Sequence, residues 1–192
     1  WMLTLPNGNL MVQEAIRGLP FQGEIILTYL KEHEEKYRIK ESLQKIFGSR
    51  LTIHLLNNPT QSQSETVYRT IKDLGLDPSD SLLVKDSDNY FALPRLEETG
   101  NYVCVSQLSE AGRVQAANKS YVVVGENNRV TTIAEKEVIS STFCVGGYHF
   151  ESISQFCSLY EKLIASPRSG ELYLSHLFRE LILQTHPVLA KP

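Results

Sequence analysis

The chain lacks the glycine patterns that most readily explain an alternation of helices and strands. It has no GxGxxG and no GxxxxGK[ST] run, which removes the dinucleotide fingerprint and the P-loop. HExxH and GxSxG are absent too, so neither a helix-borne zinc site nor a nucleophile elbow is encoded. The five histidines are scattered without ligand spacing, and His54 and His149, each inside an apolar strand, are expected to be hydrogen-bonded core residues. Only three cysteines occur, Cys104, Cys144 and Cys157, with no CxxC spacing. They are expected to be free buried thiols of a reducing compartment, without the electropositive surroundings that a reactive thiol needs. Excess charge is scarce as well: a net charge of -3 and a pI near 6.0 leave no footprint for long nucleic acid or an anionic membrane. No apolar run approaches the ~20 residues that span a bilayer, and no signal peptide opens the chain, so the expected location is cytoplasmic.

What is present is an ordinary globular composition, 42% hydrophobic and 21% charged over 192 residues, enough for one well-buried domain. After the turn at Asn7-Gly8-Asn9, Met11, Ala15, Ile16 and Leu19 recur at helical spacing until Gly18 and Pro20 end the helix. Residues 24 to 30 (EIILTYL) read as a strand, and a charged helix with the stripe Ile39, Leu43, Ile46 and Phe47 follows, stopping at Gly48. Residues 51 to 56 are the next strand. Ser64 is expected to cap a helix with buried Val67, Ile71 and Leu74 that Gly75 closes, and 81 to 84 form a third strand. This alternation over the first ninety residues predicts a mostly parallel sheet with right-handed crossovers. Closely spaced strands then follow at 102–105, 120–124, 129–133 and 142–150, with a hairpin turn at Gly125-Glu126-Asn127-Asn128. Two helices, with the faces Ile153, Phe156, Cys157, Tyr160, Leu163 and Leu174, Leu177, Phe178, Leu181, Ile182, end the chain around a loop at 166–170.

Three polar stretches stand out from this frame. The strand at 81–84 runs into Lys85-Asp86-Ser87-Asp88-Asn89, where carboxylates two apart suit a hard cation such as Mg²⁺ carrying phosphates; a plain turn is the other reading. Thr60-Gln61-Ser62-Gln63-Ser64-Glu65-Thr66 opens a helix with hydroxyls and amides that could read a nucleobase edge, or that simply cap the helix. Beyond the strand ending at Ile133, Ala134-Glu135-Lys136-Glu137 offers a lysine for a substrate phosphate, or a solvated ion pair.

The order of these pieces resembles that of the sugar-phosphate nucleotidyltransferases, the nucleotide-diphospho-sugar pyrophosphorylase-like family. The resemblance is carried by TQSQSETV at 60 to 67, DSDNYF at 86 to 91, KSYVVV at 119 to 124, AEK at 134 to 136 and VGGYHF at 145 to 150, and covers nearly the whole chain. It implies an α/β, Rossmann-like GT-A-type fold, a mostly parallel mixed sheet flanked by helices, in a single domain. Within it, about 1–91 would be the nucleotide-binding half and about 92–192 the acceptor-binding half. It implies transfer of a nucleoside monophosphate from an NTP, CTP or UTP by preference, to a sugar phosphate or other phosphorylated small molecule, with release of pyrophosphate, in capsule or lipopolysaccharide precursor synthesis.

By position, Asp88 is similar to the family's Mg²⁺-binding aspartate, with Asp86 auxiliary and His176 where relatives place a second metal-binding Asp. Lys136 is similar to the lysine that grips the acceptor phosphate. Gln61, Ser62, Gln63 and Thr66 would lie along the nucleobase, and Lys119, Glu135, Gly147 and Tyr148 would serve substrate binding on the acceptor side. The family also has a glycine-rich phosphate loop with an Arg and a Lys, expected just ahead of Trp1, and a further strand, expected after Pro192. Other expectations are a GT-A glycosyltransferase holding Mn²⁺ on Asp86 and Asp88, or a non-catalytic nucleotide-sugar-binding domain. Homo-oligomerisation is left open, and neither nucleic acid nor membrane is an expected partner.

Overall fold

The structure, a computed structural model, describes residues 1–96, 99–110, 115–167 and 170–192. Arg168 and Ser169 of the expected 166–170 loop therefore lie outside the described residues. The first helix, α1 (Met11–Arg17), leads to strand β1 (Ile25–Leu30), helices α2 (Lys31–Tyr37) and α3 (Lys40–Phe47), and strand β2 (Leu51–Leu56). Helix α4 (Gln63–Leu74) and strand β3 (Leu82–Lys85) follow, then strands β4 (Asn101–Gln107), β5 (Ser120–Val124), β6 (Val130–Glu135) and β7 (Thr142–Phe150). Helices α5 (Ile153–Ile164) and α6 (Leu174–Leu183) and strand β8 (Val188–Lys191) close the chain.

Two separate ladders result. β1 and β2 pair in parallel, Ile25 opposite Leu51 through Leu30 opposite Leu56. The larger sheet has the order β6-β5-β7-β4-β8, with β3 also on β7. Within it only β4 and β8 run in parallel; β3 with β7, β4 with β7, β5 with β6 and β5 with β7 are antiparallel. The expected mostly parallel mixed sheet is thus corrected: the larger sheet is mixed, as expected, but mostly antiparallel. Helix–strand alternation does give a parallel pair at β1 and β2, but β3 enters antiparallel to a strand some sixty residues later, which local alternation cannot report.

Two helix boundaries also move. The single charged helix is two, broken at Arg38, whose backbone is left-handed (φ 48°), while Leu43 stays buried as the centre of the expected stripe. The cap of α4 is Ser62, whose side chain accepts the Glu65 N–H, rather than Ser64, whose buried hydroxyl donates to the Leu172 carbonyl. Gly75 ends that helix with φ 62°, as expected of a residue without Cβ. β8 has no counterpart in the strand pattern read from the sequence.

The main core lies between one face of the larger sheet and α4, α5 and α6. Val103, Phe150, Phe156, Leu177, Phe178 and Leu181 are fully enclosed there, and each such side chain contributes roughly 1.5–3 kcal/mol of burial. A second cluster, around Val12, Ile25, Leu43 and Leu51, belongs to α1, α3 and the β1–β2 pair. Tyr102, Cys104 and Leu93 centre a third on the opposite face of the larger sheet. Helix α4 spans the two ladders. Thr70 meets Thr28 of β1 at 2.8 Å, Asp73 meets His54 of β2 at 3.0 Å, and Tyr68 stacks on Tyr160 of α5 with centroids 4.4 Å apart.

Both strand histidines are bonded core residues: His54 between Asp73 and Thr70, and His149 with Nδ1 2.8 Å from the Gly100 carbonyl and its ring flat on Tyr102. The three cysteines are free. Burial pushes the Cys104 and Cys144 thiols up to about 12. Among the described residues no helix is long and apolar enough to cross a membrane. Because Ser62 caps the helix that joins the ladders, Ser62→Ala is expected to cost about 1 kcal/mol of unfolding free energy, read from urea denaturation; Ser79→Ala, on an exposed turn, serves as the comparison.

Candidate functional site

β3 delivers the acidic turn because β7 has no side chains where the turn must pass. Lys85 lies opposite Gly147 at the last rung of the ladder, and beyond it the Asp86 N–H donates to the Gly146 carbonyl at 2.8 Å. Asn89 Nδ2 donates to the Val145 carbonyl at 2.6 Å, so the chain is fastened to β7 again three residues on. Gly146 has φ 81°, and a Cβ there would stand 2.2 Å from Asp86 Oδ2 and 2.8 Å from Asn89 Nδ2. On the other face, a Cβ on Gly147 would stand 2.7 Å from both Cys104 Sγ and Phe91 Cζ. The sequence reading placed Gly147 at the acceptor pocket; in the fold, the glycine beside the acids is Gly146, and Gly147 lies under Phe91.

Lys85 holds the turn from inside. Its ammonium donates to the Asp86 carbonyl at 2.6 Å, to the Asn89 carbonyl at 2.9 Å and to Asn89 Oδ1, and sits 4.7 Å from the centre of the Phe91 ring. Burial pulls its pKa down to about 8, while Asp86 and Asp88 favour the charged form. Lys85 opens the acidic stretch in the sequence but has no role assigned there; the available signal is a lysine closing an apolar run directly ahead of two acids.

The two acids of the turn differ in commitment. Asp86 Oδ1 accepts the Gln63 amide at 2.6 Å, and burial raises its carboxyl against the opposing pull of that bond and of Lys85 and Lys119. Asp88 is exposed at the turn, and its carboxylate has no hydrogen bond among the described residues. His176, in the first turn of α6, accepts the Tyr173 N–H on Nδ1 at 3.2 Å, with its ring edge-on to Tyr173. Among the described residues no three His, Cys, Asp or Glu side chains converge on one point, so Asp86, Asp88 and His176 are not brought together as a three-ligand set. Two oxygen-donor carboxylates on one turn do fit a hard divalent cation that keeps waters or phosphate oxygens for the rest of its shell.

The helix-opening segment is largely occupied with its own structure. Ser62 Oγ caps α4 and meets Ser64 Oγ at 3.0 Å, Thr66 Oγ1 meets Thr60 Oγ1 at 2.6 Å, and the Gln61 N–H donates to Glu65. Gln61's side chain is exposed, and Gln63's reaches Asp86. Beside this segment, past the end of β2, a polar cleft of about 340 Å³ is lined by Leu55, Leu56, Asn57, Asn58, Arg69 and Asp73. It does not include Asp86 or Asp88.

The third stretch closes against α6. Ser120 at the start of β5 pairs with Glu135 at the end of β6, and Glu135 Oε2 accepts both the Ser120 hydroxyl at 2.5 Å and the Ser175 hydroxyl at 2.6 Å. Lys136 turns out of the strand with φ 56°, its N–H on the Lys119 carbonyl at 3.0 Å and its ammonium on the Tyr173 hydroxyl at 2.5 Å. That last contact raises the Lys136 pKa. Tyr148 is buried against Phe178, and burial lifts its phenol well above the usual range, with Asp86 and Glu135 adding to the shift. Gln63, Asp86, Lys119, Glu135 and Tyr148 therefore lie at one corner of the sheet, where Gln63 bonds Asp86, Lys119 acts on Asp86, and Asp86 and Glu135 both act on Tyr148; Lys136 lies at its rim. Lys85, Gly146, Ser120, Ser175 and Tyr173 complete the corner; the first three lie within the stretches 85–89, 145–150 and 119–124 quoted above, but none of the five has a role assigned from the sequence.

No protein-family model matches the chain, and no curated protein does. Solved structures do. A nucleoside-diphosphate-sugar pyrophosphorylase from Vibrio cholerae RC9 is 22% identical and superposes with a TM-score of 0.81, covering 100% of this chain and 82% of that one. An inositol-1-phosphate CTP transferase from T. maritima is 14% identical with a TM-score of 0.75, covering 99% of this chain and 75% of that one. The chain has the fold of these two enzymes.

The raised carboxyl of Asp86 has a definite sign for stability. A folded-state pKa above the unfolded value means that the contribution is present below the unfolded pKa, near 3.9 for Asp, and is lost as pH rises through the folded value. Asp86→Asn, which keeps an acceptor for Gln63, is therefore expected to melt higher than wild type at pH 7, with the gap closing as pH falls toward about 4. Melting curves across that range check it, and a variant that melts lower at pH 7 would refute it.

Proposed function

We propose that the protein transfers a nucleoside monophosphate from an NTP to a phosphorylated small molecule and releases pyrophosphate. The reading is carried by the gathering of Asp86, Asp88, Lys119, Glu135 and Lys136 around one corner of the sheet, and the fold shared with the two enzymes above supports it. An oxygen of the acceptor phosphate attacks the α-phosphorus in line. The new P–O bond forms as the bond from the α-phosphorus to the bridging oxygen breaks, and pyrophosphate departs with that oxygen. No covalent enzyme intermediate is required, so the residues act by placement and charge.

In this reading residues 1–91 hold the nucleotide and 92–192 the acceptor. Gln61, Ser62, Gln63 and Thr66 lie along the base, of which Gln61 has its side chain free to reach out. Lys136 grips the acceptor phosphate, Lys119 adds charge beside it, and Glu135, held by two hydroxyls, accepts hydroxyls of the acceptor. Gly147 and Tyr148 shape the wall behind. Asp88, with Asp86 behind it, would hold Mg²⁺, which when bound neutralises phosphate charge. His176, with Nδ1 engaged by Tyr173, is left to the start of α6. CTP or UTP is the favoured donor, the product an activated precursor for capsule or lipopolysaccharide, and the setting cytoplasmic.

The direct test incubates the protein with each NTP, Mg²⁺ and a panel of sugar phosphates, polyol phosphates and phosphocholine, and measures pyrophosphate; no release from any pairing counts against the reading. With the active pair in hand, Asp88→Asn is expected to lower kcat by about 100-fold or more, the scale of losing a group that stabilises developing charge, and Asp86→Asn to lower it less. The reverse ranking would move the metal to Asp86. Lys136→Ala is expected to raise the acceptor KM roughly 10- to 100-fold, as for loss of a charge-assisted hydrogen bond, with the NTP KM nearly unchanged; equal acceptor KM values would remove Lys136 from that role.

A further inference from the structure

An exposed lysine side chain has four rotatable bonds and ordinarily roams. Lys136 does not. Its backbone is left-handed (φ 56°), a conformation few non-glycine residues adopt, and is pinned by the Lys119 carbonyl. Its ammonium lies 4.3 Å from the centroid of the Tyr173 ring and donates to the Tyr173 hydroxyl. Tyr173 immediately precedes α6, yet its side chain is not what starts that helix: its backbone N–H donates to His176 Nδ1 and its carbonyl accepts the His176 N–H at 3.1 Å. The ring is therefore available to Lys136, while two residues on Ser175 holds Glu135. One helix start thus fixes two consecutive residues of the β6 end.

We propose that Tyr173 is a positioning residue for acceptor binding, holding the Lys136 ammonium in place before the acceptor phosphate arrives. The inference rests on the nucleotidyl-transfer reading above. The hydroxyl engages one of the three ammonium donors and leaves two for phosphate. The ring supplies a second, cation–π attraction to the ammonium. A lysine ordered in advance spares the acceptor the entropic cost of ordering it on binding, so the effect belongs in acceptor KM rather than in donor binding.

The test is steady-state kinetics of wild type, Tyr173→Phe and Tyr173→Leu with the panel acceptor that supports pyrophosphate release, varying acceptor and NTP in turn, alongside melting curves. Tyr173→Phe keeps the ring face and loses the hydroxyl, and is expected to raise acceptor KM about 3-fold. Tyr173→Leu loses both, and about 10-fold is expected. In each, the NTP KM and the melting temperature should stay near wild type. Active wild type with unchanged acceptor KM in both variants overturns this proposal alone, as does a parallel rise in both KM values, which marks a merely structural role. Wild type that releases no pyrophosphate with any pairing overturns the transfer reading and this proposal with it.

Discussion

The acidic corner depends on a strip of backbone that carries no side chains. Gly146 and Gly147 sit on opposite faces of β7, and each is pressed by something that a methyl group would displace: Asp86 and Asn89 on one face, Phe91 and Cys104 on the other. That clearance lets residues 86–91 lie against β7 after the ladder has ended, with Asp86 and Asn89 tied to consecutive carbonyls of β7. Lys85 then neutralises carbonyl oxygens that the tight turn would otherwise crowd together. Without the clearance the acids would swing away from Gln63 and Lys119, leaving Glu135 as the carboxylate of the corner.

Much of the architecture was legible because it is local. β2, β5 and β7 have the bounds that their apolar runs indicate, the hairpin at 125–128 turns through left-handed Asn127 and Asn128, and Gly75 stops α4. What escaped was non-local or had no breaker residue to announce it. Arg38 divides α2 from α3 without a glycine. β8 is four residues long and gains its strand character by pairing with β4, some ninety residues earlier, and through a bridge from Leu189 to Arg129. Strand direction is likewise a property of the partner. Ser62 and Ser64 are interchangeable as caps on paper, and only the Leu172 carbonyl, over a hundred residues away, distinguishes them.

The candidate site follows the same division. Acids after a strand and a lysine after another are visible as residue types, whereas their significance lies in what meets them. Asp86 and Asp88 look alike in sequence; burial and the Gln63 amide separate them. Gln63 looks like a reader of bases, and in the fold its amide donates to the Asp86 carboxylate, which makes the start of α4 and the acidic turn a single hydrogen-bonded unit. Glu135 owes its fixed pose to two serines, one beside it across the ladder and one on a distant helix.

The two ladders share no backbone rung, and this gives the molecule a seam. Helix α4 is anchored on the side of the larger sheet by Gln63, Ser64 and Tyr68, while Thr70 with Thr28 and His54, and Asp73 with His54, join it to β1 and β2. Along the same divide the Leu93 N–H donates to the Gly18 carbonyl, Arg17 lies 5.3 Å from the centre of the Tyr90 ring, and Leu19 packs into the cluster around Leu93. Sliding one body past the other would thus break side-chain contacts and the Leu93–Gly18 hydrogen bond while leaving every rung of both sheets intact.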